Sequence, residues 1–158
     1  MTFHHKRWVP LLVPLFLAAC GSSGDTHADL GMSCDGHTII HVVAKGLEHS
    51  DGQVLVALYA SSDGFPNDSD KALQSGTATM DSTQATFTFT EVPRGTYAVS
   101  VLHDEDGNGA MKTQSFGRPA EGWGVSNDAK GRFGPPKFKN AAFEAMRDSV
   151  SIELIFNY

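Results

Sequence analysis

From residue 38 onward the chain never sustains an apolar stripe at helical spacing; its apolar residues come in short runs, each cut off by glycine, proline, asparagine or aspartate. Ala85 to Thr90 is the clearest run. Phe87 and Phe89 alternate with Thr86, Thr88 and Thr90, the period-two pattern of a strand with one face in a core and the other in water. Thr38 to Lys45 is rich in Ile and Val. Thr96 to His103 places Tyr97, Val99 and Val101 on one side, and Val150 to Phe156 does the same with Val150, Ile152, Leu154 and Phe156. Between them, Val92-Pro93-Arg94-Gly95 reads as a turn. In Gln53 to Ala60, Val54, Val56 and Leu58 share a side, yet Leu55, Ala57 and Tyr59 make the opposite side apolar as well, which suggests a central strand covered on both faces. Ala141 to Met146 fits either a helical turn or a strand, and its nearness to the last run favours a strand joined through Arg147-Asp148-Ser149. With no βαβ spacing, these runs predict an all-β fold: an antiparallel β-sandwich of immunoglobulin/transthyretin-like type with about seven strands and one long Gly/Pro/aromatic loop. A small closed barrel is the alternative closure.

Residues 1–19 have a different logic. Met1 to Arg7 is short and positive, and Trp8 to Ala19 is an unbroken apolar run too short to span a bilayer. Leu17-Ala18-Ala19-Cys20 then matches the lipobox of bacterial lipoproteins, so a signal peptide over 1–19 and lipidation at Cys20 are expected. Two or more acyl chains on Cys20 would anchor the protein stably to a membrane without any spanning helix. Gly21 is not the Asp that favours inner-membrane retention. In a Gram-negative envelope this points to the outer membrane, facing the periplasm. Residues 20–37, rich in Gly, Ser and Asp, read as a flexible tether, and Cys34 as a free thiol in it. The β-domain then occupies 38–158.

The net charge is −6 with Lys6 and Arg7 and −8 without them. That balance excludes nucleic acid as a general partner, and leaves the anchor to hold the protein at an anionic membrane.

His103-Asp104-Glu105-Asp106-Gly107-Asn108-Gly109 carries oxygen ligands at alternate positions, Asp104, Asp106 and Asn108, ahead of a glycine suited to a sharp bend. This is the first half of an EF-hand-like Ca2+ loop. The second half departs from it: Ser115 stands where an EF-hand has its bidentate glutamate, and no flanking helices are visible. Asp128, Glu121 or Glu144 could complete the oxygen set from elsewhere in the chain. A structural calcium site at Asp104, Asp106, Asn108 and Asp128 is therefore one expectation, and a tight turn built on Asp-Gly and Asn-Gly the other.

Phe116 to Phe138 is a long loop punctuated by Gly and Pro, in which Phe116, Trp123, Phe133 and Phe138 interleave with Arg118, Lys130, Arg132, Lys137 and Lys139. Stacking and charge-assisted hydrogen bonding suit an anionic or sugar-like ligand, with Trp123, Arg118, Lys130, Arg132 and Phe133 as binding residues; an envelope protein or a saccharide would fit. The competing reading has the loop fold over one end of the sandwich, its aromatics capping the core.

The order H-D-E-D-G-N-G, then F-G-R-P-A-E-G-W-G-V-S-N-D-A-K-G-R-F-G-P-P-K-F, then A-A-F resembles the bacterial domain-of-unknown-function family 2141, across Thr38 to Tyr158. The resemblance implies an exported, prealbumin-like sandwich and confers no activity. The lipobox departs from the plainly secreted arrangement of many members.

G-x-S-x-G, H-E-x-x-H and paired Cys-x-x-Cys motifs are all missing, and His27, His37, His41, His49 and His103 lack zinc-ligand spacing. Only His103, beside Asp104 and Asp106, is placed for acid–base chemistry, so a small hydrolase is the enzymatic alternative. The leading expectation is a non-enzymatic, membrane-anchored binding module; a purely structural envelope subunit is the third reading.

Overall fold

The computed structural model describes residues 36–114, 118–132 and 134–158. Eight strands dominate them: β1 His37–Lys45, β2 Gln53–Tyr59, β3 Gln74–Asp81, β4 Gln84–Pro93, β5 Gly95–Asp104, β6 Trp123–Val125, β7 Phe143–Ala145 and β8 Ser149–Ile155. A single helical turn, α1 (Phe138–Ala141), precedes β7, so the 141–146 run holds the expected strand with a helical turn leading into it. Residues 1–35, including Cys20, Cys34 and the expected signal, lie outside the described residues.

The strands form one continuous sheet in the order β6-β5-β2-β3-β4-β1-β8, with β7 pairing the start of β5. β3 turns the corner between the layers, pairing β2 through Gln74–Ala78 and β4 through Thr79–Asp81. At the far seam, Trp123 and Asn157 exchange backbone hydrogen bonds of 2.9 and 2.7 Å, so the sheet curls into a nearly closed barrel. The all-β reading holds, and the two layers expected of a sandwich are the two sides of this one sheet. One pairing departs from the antiparallel expectation. β8 runs parallel to β1, because the chain leaves β7 on the β5 side and crosses through residues 146–148 to enter from the end where β1 starts.

The core is what the alternation predicts: Ile40 and Val42 from β1, Val54, Val56 and Leu58 from β2, Phe89 from β4, Tyr97, Val99 and Val101 from β5, and Leu154 and Phe156 near the carboxyl end. Each such side chain contributes about 1.5–3 kcal/mol by leaving water. Among the described residues every strand and core side chain lies within residues 31–158, which form a compact unit by themselves. That segment thus holds its own core and its own backbone partners.

Candidate functional site

Four neighbouring strands, β3-β2-β5-β6, turn their second face outward, and the register aligns the outward residues in rows across the strands. One row is Thr77, Leu55, Leu102 and Trp123; the next is Ser75, Ala57, Ser100 and Val125. The row between them, Gly76, Val56, Val101 and Gly124, points into the core. Its two glycines make room for side chains from elsewhere: a Cβ on Gly76 would lie 2.6 Å from the Phe87 ring, and one on Gly124 2.9 Å from Leu154. Leu55, Leu102 and Trp123 are half-buried although they are outside the core.

What shelters them is the long loop. Residues 109–111, 118–119, 130–131 and 134–136 on one side, and Pro66, Asn67 and Ser69 on the other, enclose a cleft of about 630 Å³ over these rows. Ligand sites commonly occupy roughly 300–1,000 Å³. At one end the Pro66 carbonyl accepts hydrogen bonds from the Tyr59 hydroxyl (3.2 Å) and the Ser100 hydroxyl (3.0 Å), pinning that wall to the sheet. Burial pushes the Tyr59 phenol up and outweighs the Ser100 contact, so it stays protonated across the physiological range. The opposite wall is a small hairpin, with Gln114 N–H donating to Arg118 O (2.7 Å) and Ala120 N–H to Lys112 O (2.8 Å), and it carries Arg118 to the rim. Lys130 reaches the rim from beyond β6, where the buried Ser126 hydroxyl donates to Ala141 O (2.6 Å) and accepts from Val99 N–H (3.0 Å).

Three of the expected ligand residues, Trp123, Arg118 and Lys130, therefore line one cleft. Arg132 is exposed and does not line it, and Phe133 lies outside the described residues. Phe138 packs edge-on against Phe65, which in turn meets Tyr59, so this loop aromatic does serve packing. Leu55, Leu102, Ser75 and Thr77 were not foreseen as lining; the apolar second side of β2 was the available signal. In a chain with 18 carboxylate residues, none of the described lining residues is acidic, and Arg118 and Lys130 make no ion pair among the described residues.

The acidic segment forms the root of this roof. Asp104 is sealed from water and accepts from Asn108 N–H (3.0 Å), Gly109 N–H (2.9 Å) and the Gln53 amide (2.8 Å). Burial acts to raise its carboxyl, but the hydrogen bonds from Gln53 and then from the Gly109, Asn108 and Gly107 N–H groups prevail, and its pKa is lowered. Asn108 Oδ1 accepts from Ala110 N–H (2.8 Å), and Asp106 from Asn108 N–H (3.3 Å) and the Lys112 ammonium (3.4 Å). Glu121, also buried, accepts from Glu105 N–H (3.2 Å) and Lys112 N–H (2.8 Å). Oxygens of Asp104, Asp106 and Glu121 lie within 4.8 Å of one another. The structure does not bring Asp128 to this group: its carboxylate accepts from Ile155 N–H (2.8 Å), and neighbouring Ser126 is already level with Val99, roughly 17 Å of strand from Asp104. Glu144, opposite Thr96, is farther still. All the named side-chain oxygens of the turn have donors, so the turn closes on its own N–H groups.

His103 is completely buried. Its Nε2–H donates to Asp51 O (2.8 Å), which leaves Nδ1 to accept from the Tyr158 hydroxyl (2.9 Å). Both ring nitrogens are thus engaged, and the ring lies 4.8 Å, centroid to centroid, from that of the half-buried His49.

No curated protein sequence and no solved structure matches the chain. A family model does, over residues 42–153, which contain the cleft floor, the hairpin wall and the acidic turn. The chain belongs to DUF2141, a family described as uncharacterized protein conserved in bacteria.

Proposed function

We propose that the protein is an exported envelope lipoprotein, anchored through acyl chains on Cys20, whose β-domain binds a small molecule in the roofed cleft without converting it. The observation that carries the binding part is the outward row Leu55, Leu102 and Trp123: apolar surface that is excluded from the core, sheltered by a loop and faced by a ligand-sized space. Apolar residues gathered in this way gain burial only when something fills the space above them. The acidic turn serves the cleft by fixing where the roof begins. The hydrolase alternative asks His103 to exchange protons with a substrate, and its two hydrogen bonds oppose that role.

The chain has two tryptophans, Trp8 and Trp123, so in the 31–158 fragment fluorescence reports on the cleft alone. Titration with a neutral apolar small molecule such as N-phenyl-1-naphthylamine should saturate and quench the Trp123 emission. Thr77→Phe, placed on the exposed, cleft-facing side of β3, should block it with the fold intact. Undiminished binding in that variant removes the cleft from consideration. For the anchor, metabolic labelling with an alkyne-tagged palmitate should tag the wild-type chain and leave Cys20→Ser untagged; an untagged wild type refutes it.

A further inference from the structure

We infer that the cleft's ligand is an anionic amphiphile: an apolar hydrocarbon body with a single carboxylate- or phosphate-type end, lying body-down on the sheet with its charged end at the Arg118–Lys130 rim. This rests on the small-molecule reading above and adds the ligand's class.

The floor decides the body. Leu55 and Leu102 are its half-buried apolar residues, with Ala57 and Val125, already buried, beside them, and none can donate or accept a side-chain hydrogen bond. Ser100, the one hydroxyl in the middle, is already committed to Pro66 O. The remaining floor hydroxyls, Ser75 and Thr77, sit at the β3 edge. A saccharide laid across this surface would leave several hydroxyls without partners, which disfavours its transfer from water. A hydrocarbon body asks nothing of this apolar floor and gains burial along it, the polar lining residues Asn67, Ser69 and Thr113 belonging to the walls.

The rim decides the end group. Among the described residues no acid lines the cleft: Asp104 and Glu121 are spent on backbone N–H groups at its root, and Asp68, whose charge is felt at Tyr59, flanks the Pro66 wall opposite the hairpin that carries Arg118. Of the described lining residues only Arg118 and Lys130 carry charge, both exposed and both positive. A cationic end would meet two like charges. A neutral end would leave them idle, and an anionic end pairs with them. Because both cations are solvated, the preference is modest and sensitive to salt: two exposed contacts correspond to roughly 2- to 30-fold in affinity.

The test uses the 31–158 fragment with Trp123 emission as readout, and three probes with ten-carbon chains, kept below their micelle or solubility limits: decanoate, decanol and decyltrimethylammonium. Expected are binding in the order decanoate, decanol, decyltrimethylammonium, loss of the decanoate advantage in 0.5 M salt or in Arg118→Gln/Lys130→Gln, and loss of all binding in Thr77→Phe. Decyl phosphate in parallel separates a carboxylate from a phosphate preference. Equal binding of the three probes, blocked by Thr77→Phe, overturns the anionic class and leaves the cleft as a neutral apolar site. Absence of binding by every probe, or binding that Thr77→Phe does not touch while circular dichroism is unchanged, overturns the cleft reading and this inference with it.

Discussion

Asp104→Asn is the perturbation whose effect the structure specifies best. The wild-type carboxylate takes hydrogen bonds from Asn108 N–H, Gly109 N–H and the Gln53 amide, at 3.0, 2.9 and 2.8 Å, with Gly107 N–H acting in the same direction. An asparagine presents one oxygen, so one side of this set must face its NH₂ group and be lost. The bonds that remain are no longer charge-assisted. Hydrogen bonds to a charged group contribute about 1.5–3 kcal/mol each, and a buried donor left unmade costs about 1–3 kcal/mol. Asp104 is sealed by its own turn and lies just beneath the surface, so water can reach an orphaned donor at small expense and the lower part of those ranges applies. The expected loss is about 2–3 kcal/mol, a large share of the roughly 5–15 kcal/mol available to a domain. Urea unfolding of the 31–158 fragment at pH 7, followed by circular dichroism, measures it. The pH dependence supplies an independent check. A carboxyl lowered in the folded state contributes stability in full above its unfolded value, near 3.8, and that contribution is lost as pH falls through the folded value. Wild type and variant should therefore differ at pH 5–7 and converge at the acid end. A loss below about 0.5 kcal/mol, or a difference that persists unchanged to low pH, would refute the claim that this carboxylate holds the turn.

Three further outcomes follow from neighbouring geometry. Gly52→Ala should lower the melting temperature by roughly 10 °C, since Gly52 has φ +74° and an added Cβ would lie 2.2 Å from the Asp104 carbonyl oxygen, a backbone atom that cannot swing aside; an unchanged melt would show that the β2–β5 end can open. Tyr158→Phe should cost about 1–2 kcal/mol in denaturant, because it strips the buried His103 Nδ1 of its donor, and a neutral result would mean that water replaces the hydroxyl. Millimolar calcium should raise the melting temperature by less than about 2 °C, because the oxygens of Asp104, Asp106, Asn108 and Glu121 already have N–H or ammonium donors. A larger rise that Asp106→Asn abolishes would place an ion among them.

Strands whose buried face is written in large apolar residues were legible: β1, β2, β4, β5 and β8 emerge within two residues of the runs read from the alternation, except where β4 continues through Pro93. β3 was invisible because its inward positions are Gly76, Ala78 and Met80. Gly76 contributes by being empty, its place taken by the Phe87 ring from β4, and no pattern along β3 can reveal a vacancy filled from another strand. β6 was hidden for a related reason: its three residues include Gly124, and it sits inside a loop rich in Gly and Pro. For the site, residue types pointed to Trp123, Arg118 and Lys130, and the two-sided apolarity of β2 announced that something covers its outer face. What covers it depends on long-range register. Ladder position, not local spacing, puts Leu55, Leu102 and Trp123 in one row, moves Glu121 to the acidic turn and carries Asp128 away from it. The buried state of His103 has the same origin, since its partners Asp51 and Tyr158 are 52 and 55 residues distant.

The parallel pairing of β8 with β1 sets a timetable for the chain. Ile39 to Lys45 finds its second neighbour only in Ser149 to Ile155, and the ion pair between Lys45 and Glu153 spans 108 residues. Closing a span of that length comes late, after the hairpins β2–β3 and β3–β4 have formed from neighbouring sequence. Until then β1 has a bare edge, and the Trp123–Asn157 seam stands open. A chain halted before residue 149 would keep both, presenting an unpaired strand edge to proteases and to other copies of itself. The last ten residues thus act as the latch of the barrel, covering the β1 edge and closing the seam in one step.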